Sequence, residues 1–112
     1  MPIDVIDISD KEASIILGMD EGHFVELKSI DIGPAKLTRA MSAFANADGG
    51  ELFIGIDDNV KSGRRTWRGF KNPETANGHI QVFEELFPLS QDFQYEFLRT
   101  ASLPGLVLKA GI

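Results

Sequence analysis

Between Ala43 and Asp58 the chain reads Ala-Phe-Ala-Asn-Ala-Asp-Gly-Gly-Glu-Leu-Phe-Ile-Gly-Ile-Asp-Asp, an order that few folds accommodate. The alanine-rich start is the end of an apolar helix and Asp48-Gly49-Gly50 is a turn. Glu51 to Asp57 is predicted to be one strand, and Asp57-Asp58 places two carboxylates where it ends. A nearly continuous apolar run, Leu52-Phe53-Ile54-Gly55-Ile56, suits a central strand covered on both faces. Side chains at the end of such a strand are held by a rigid element, a common position for ligand and catalytic groups.

The rest of the chain supplies the covering layers. Ser9-x-x-Glu12 is a capping-box pattern. It predicts a short helix with Ala13, Ile16 and Leu17 on one side and Gly18 as its stop. Phe24 to Lys28 alternates like a strand, with Val25 and Leu27 pointing one way and Phe24, Glu26 and Lys28 the other. Pro34 opens a second helix, in which Leu37, Ala40, Met41 and Phe44 recur at helical spacing. Asp58 to Lys71 reads as a polar loop with a short strand around Thr66–Arg68. Pro73 to Phe87 reads as a third helix with Ile80, Phe83, Leu86 and Phe87 on its apolar face. Phe93 to Arg99 and Leu106 to Ile112 read as strands. The fold class expected is α+β: a mixed, mostly antiparallel sheet flanked by about three helices.

At 112 residues the chain is one domain, long enough to bury roughly two thirds of its unfolded surface without staples. With no cysteine, disulfides and thiolate metal sites are excluded, and a structural zinc site is not expected. No apolar run approaches the ~20 residues of a membrane span. The N-terminus lacks the basic-then-apolar order of a secretory signal. A cytoplasmic protein is expected, and the apolar last residues suggest a fragment of a longer one.

The net charge of −6 argues against a uniform phosphate-binding surface. Its distribution changes that reading. Met1 to Asp58 carries twelve acids against four bases, whereas Lys61, Arg64, Arg65, Arg68 and Lys71 follow with no acid before Glu74. A basic loop on an acidic body can bind a phosphate backbone locally.

Several residues have chemistry open to them. Glu26-x-Lys28 sets a carboxylate and an ammonium on one strand face, a pair that metal-dependent nucleases use. The acid ligates Mg²⁺ or Mn²⁺ and the lysine stabilises charge on a phosphate. The same alternation serves solubility on any exposed strand. Asp57-Asp58 suits either a metal or a turn, since aspartates bond their own backbone. Glu21 lies in a turn and reads as a solvated acid. Trp67 and Phe70 are better read as anchors of a hairpin than as base-stacking groups, with some of the arginines on phosphate. His23 and His79 have no partner at ligand spacing and read as surface or satisfied residues. No Ser-His-Asp arrangement, P-loop or dinucleotide fingerprint is present.

Taken together, Glu21-x-x-x-Val25-Glu26-Leu27-Lys28, Met41-Ser42-Ala43-Phe44-Ala45-Asn46-Ala47-Asp48-Gly49-Gly50 and Leu52-Phe53-Ile54-Gly55-Ile56-Asp57-Asp58 resemble the Schlafen AlbA-like domain. The resemblance is clear over residues 10–70. Bacterial and archaeal members are described as DNA-binding domains, often at the N-terminus of transcriptional regulators or of proteins labelled RecG-like helicases. Vertebrate members are metal-dependent endoribonucleases acting on transfer and ribosomal RNA. Their three acids, carried over, fall on Glu21, Glu26 and Asp58, with Asp57 the alternate, and their lysine on Lys28. The Asn46-Ala47-Asp48-Gly49-Gly50 turn departs mildly from the family's Asn-Thr-Gly-Gly form. The vertebrate nuclease is built from two lobes, so activity here would require a dimer or a second domain.

The resemblance implies DNA or RNA as partner; the charge distribution assigns its binding to Lys61, Arg64, Arg65, Arg68 and Lys71 of the basic loop, with Lys28 on its strand. The alternative is a nuclease with Glu21, Glu26, Lys28 and Asp58 as catalytic residues and Mg²⁺ or Mn²⁺ on the three acids. A protein-interaction or dimerisation module is the third reading.

Overall fold

A computed structural model describes residues 3–20, 22, 25–45, 50–59, 64–86 and 94–111, without the side chains of residues 34, 41–45, 59, 83 and 86. In chain order the elements are β1 (Val5–Asp7), α1 (Asp10–Leu17), β2 (Val25–Lys28), α2 (Pro34–Ala45), β3 (Glu51–Ile54), β4 (Ile56–Asn59), β5 (Arg64–Trp67), a 3₁₀ turn (Pro73–Ala76), α3 (Asn77–Leu86), β6 (Gln94–Arg99) and β7 (Val107–Gly111).

The sheet is mixed. Five strands lie in the order β1-β6-β7-β3-β2, and β4 and β5 form a separate antiparallel hairpin. β1 runs parallel to β6 and β2 parallel to β3, while β7 is antiparallel to both of its neighbours. Three of the five ladders among the described residues are thus antiparallel. In the five-stranded sheet all strands except β7 point the same way, so β1, β6, β3 and β2 end at one edge. β7 begins at that edge.

Alternation along the strands sorts the core into two layers. Leu52, Ile54, Phe97, Leu108 and Ala110 face one side and pack with Leu37 of α2 and Ala76 of the 3₁₀ turn. Phe53, Leu98, Val107 and Leu27 face the other side and pack with Ala13 and Ile16 of α1. Burial of a large apolar side chain contributes about 1.5–3 kcal/mol, so these two layers are the main source of stability. α1 starts as its sequence predicts: Ser9 Oγ accepts from the Glu12 N–H at 3.1 Å and donates to Glu12 Oε1 at 3.3 Å. Gly18 does end α1, but with φ −92. The left-handed conformation usually supplied by glycine there is not used.

The predicted single strand from Glu51 to Asp57 is broken. Gly55 has φ +125, and its N–H donates to the Lys28 carbonyl at 2.8 Å. The chain leaves the sheet at that residue and continues as β4. Its return is fixed by a second contact. The Gly55 carbonyl accepts from the N–H groups of Arg68 and Gly69, each at 2.8 Å. Gly69 and Gly105 also have positive φ, +68 and +85. A Cβ on Gly69 would stand 2.6 Å from the backbone of Gly105 and Leu106. Phe70 and Leu106 then pair through two backbone hydrogen bonds of 2.6 and 2.8 Å. Two further departures are smaller. β1 carries no sequence signal beyond three residues, and the third helix opens with a 3₁₀ turn before α3. Asn46 to Gly49, Phe87 and Pro88 lie outside the described residues.

Candidate functional site

β2 supplies the first two groups as its alternation requires. Val25 and Leu27 face the layer under α1. Glu26 and Lys28 lie opposite Leu52 and Ile54 and so share the other face. Their side chains meet, Lys28 Nζ to Glu26 Oε1 at 2.7 Å, and both are about one-third exposed. An ion pair this accessible contributes little to stability. It does hold an acid and an ammonium together at the end of a strand.

Asp57 and Asp58 point apart. Asp58 is exposed and lies opposite Arg65, on the hairpin side that carries the buried Ile56 and Trp67. Asp57 lies on the other side. Its Oδ2 is 3.6 Å from Arg68 Nη1, and the same nitrogen is 2.5 Å from Asp31 Oδ2. Asp31 sits in the turn after β2, between Ile30 and Ile32, which pack on the layer that contains Leu52 and Ile54. The structure therefore joins Asp57, rather than Asp58, to the segment that follows Lys28. The other oxygen of Asp57, Oδ1, is buried and has no hydrogen-bond partner among the described residues. Glu21 lies outside the described residues. Among the described residues, no group of three or more His, Asp or Glu side chains is placed to hold a metal ion.

The basic residues divide by use. Arg65 Nη1 donates to the carbonyl of Leu17 at 3.1 Å and also to that of Met19. Its charge caps the C-terminal end of α1, where the helix dipole favours a cation. Arg64 and Arg68 are exposed, as is Lys71. The hydrogen bond to Asp31, then the charges of Asp31 and Asp57, push the Arg68 guanidinium above its ordinary pKa, so it stays cationic. Lys61 lies outside the described residues. Trp67 and Phe70 are 3% and 2% exposed, which makes them anchors as expected.

Two groups escaped sequence reasoning. Arg99, the last residue of β6, is paired with Asp7, the last of β1, through Nε to Oδ1 at 2.7 Å and Nη2 to Oδ2 at 3.1 Å. That pairing holds the Asp7 carboxyl below its usual range. Only the parallel register of β1 on β6 brings these two together, and no spacing in the sequence announces it. His79 is the second. Its sequence context suggests a surface or satisfied residue, yet neither ring nitrogen has a hydrogen-bond partner among the described residues, and the ring packs edge-on to Phe70 at 5.3 Å.

The end of the sheet at which β1, β6, β3 and β2 stop thus presents Lys28, Arg68, Lys71 and Arg99 beside Asp31, Asp57 and Asp7. Phosphate contact by several of these cations is chemically open, and so is ligation by the unpartnered Asp57 oxygen. No described helix is long and apolar enough to cross a membrane. A search of curated proteins gave no match. A family model described as Schlafen, AlbA_2 matches residues 21–103, which is more than half of the chain. That span takes in the Glu26–Lys28 strand, the glycine-pinned hairpin and the strand that ends in Arg99, and the chain belongs to the Schlafen AlbA_2 family.

Proposed function

We propose that this domain binds nucleic acid along the strand-end edge of its sheet, with Arg64, Arg68, Lys71 and Lys28 on the phosphate backbone. Family membership associates the chain broadly with nucleic-acid-related domains. The observation that carries the finer reading is the division among the hairpin arginines. Arg65 is turned inward to the carbonyls of Leu17 and Met19, whereas Arg64, Arg68 and the following Lys71 are exposed. Localised cations are needed because the chain as a whole repels phosphate, with net charge −6.

Fluorescence anisotropy with labelled oligonucleotides over a salt series tests this. Affinity should fall steeply with salt. The double variant Arg68→Ala/Lys71→Ala should lower the log–log salt slope by about two, roughly one for each phosphate left without its cation. Absence of binding at low salt, or a slope the double variant leaves unchanged, would refute the reading.

A second reading is favoured by one observation, the buried Asp57 Oδ1 without a partner among the described residues. Hard cations such as Mg²⁺ and Mn²⁺ prefer carboxylate oxygen, and Asp57 and Glu26 have the required chemistry. In a nuclease these two acids, with Glu21, would hold the ion. The bound ion would supply an activated oxygen nucleophile. Lys28, held by Glu26, would neutralise charge on the phosphate. A larger domain and a regulatory role fit either reading.

A further inference from the structure

A cleft of about 620 Å³ opens at the ends of β1 and β6. Its volume falls within the roughly 300–1,000 Å³ of small-ligand sites. The lining combines apolar side chains, Ile8, Leu103 and Leu106, with two cations, Lys71 and Arg99. Lys71 is exposed and has no ion-pair partner among the described residues. Arg99 spends Nε and Nη2 on Asp7, and its Nη1 has no partner among them. Counting Asp7, the cleft carries one net positive charge.

We propose that this cleft seats one nucleotide of a single-stranded nucleic acid. Its phosphodiester lies between Lys71 and Arg99, and its base lies against Ile8, Leu103 and Leu106. The inference rests on the nucleic-acid reading above and adds the strand type. Three considerations support it. One net positive charge matches one phosphodiester rather than the double charge of a free monophosphate. Guanidinium geometry suits phosphate oxygens. A concave apolar lining takes an unstacked base, which a duplex does not offer. The placement also fits. Lys71 follows Phe70, which pairs with Leu106 of the cleft lining. A strand running along this end of the sheet would meet the hairpin first and the cleft next.

Amide NMR titration of the protein with a short single-stranded oligonucleotide, a duplex of the same sequence and a nucleoside monophosphate tests this. The single strand should shift the amides of Lys71, Asn72, Thr100 and Ala101 together with those of the hairpin. The duplex should shift the hairpin and Lys71 but leave Thr100 and Ala101 unmoved. Ala101→Glu puts an acid on the exposed cleft wall and should weaken single-strand binding on the order of tenfold. Ala101→Gln and duplex binding should stay near the starting values. Shifts at the hairpin and Lys71 with none at Thr100 and Ala101 in the single-strand titration would overturn the cleft and leave the binding function standing. Tighter saturation of the cleft by the monophosphate than by the oligonucleotide would also overturn it. Silence at every amide at low salt would remove both readings.

Discussion

Each interior strand of the five-stranded sheet is covered on both faces, whereas β4 and β5 give only Ile56 and Trp67 to a buried cluster. Beyond these two anchors the hairpin is held by backbone and polar ties. Gly55, Gly69 and Gly105 let the chain leave and rejoin the sheet at close range. Arg65 ties the hairpin to α1, and Arg68 ties it to the turn after β2. The contrast separates two jobs. Apolar layers make the sheet stable, and a few directional bonds fix where the cations sit. Polar ties of this kind can be cut singly without emptying a core.

The largest expected effect cuts the backbone tie. In Gly69→Ala the new Cβ meets main-chain atoms at 2.6 Å and φ is +68, so neither space nor conformation allows it. A loss of about 3 kcal/mol or more in urea unfolding is expected. Gly78→Ala is the control. Gly78 lies in α3 with nothing within 4 Å of its added Cβ, and the change should stabilise by about 0.5–1 kcal/mol. If both variants behaved alike, close packing of the glycines would not be what pins the hairpin.

Arg65→Ala sharpens the comparison by leaving the backbone alone. It removes two bonds from a charged donor to the carbonyls of Leu17 and Met19, each of which contributes about 1 kcal/mol or somewhat more. Global stability should fall by about 2 kcal/mol. Hydrogen exchange should lose protection first at β4 and β5, while β3, β6 and β7 stay protected. Uniform loss across the sheet would mean that the hairpin and the core open as one unit.

The sheet was the more legible of the two regions. Alternation from Val25 to Lys28 placed Glu26 and Lys28 on one face, and the capping pattern placed the start of α1. Both rest on local periods and local bonds that a sequence displays. The break at Gly55 did not show, because an apolar run reads the same through a glycine that bends as through one that does not. For the same reason the strand end moved. Asp57 and Asp58 were legible as a pair, but which of them joins the Lys28 side depends on the hairpin's orientation. Arg65 looked like its neighbours and proved structural, because its partners are carbonyls, which carry no sequence signature. Arg99 and Asp7 needed the parallel register of a three-residue edge strand. The long-range contacts that build the site are the ones periodicity cannot report.

The smallest effect tests how the cleft end of the sheet is held. The Asp10 carboxylate, at the start of α1, accepts from Thr100 Oγ1 at 2.6 Å and from Ser102 Oγ at 2.7 Å. The Thr100 bond first, then those from Ser102, lower its pKa below the ordinary aspartate value. A carboxyl with a depressed folded pKa contributes stability that is fully present above its unfolded value, near pH ~4. It is lost as pH falls through the folded value. Thr100→Val removes the strongest donor without emptying a buried position, since Thr100 is 3% exposed. In carboxyl NMR the Asp10 midpoint should move up towards the ordinary value. The variant should be less stable than the parent at neutral pH, and the gap should narrow as both are taken below about pH 4. A gap that stayed constant to low pH would assign the loss to packing of the β6–β7 loop rather than to the charged bond.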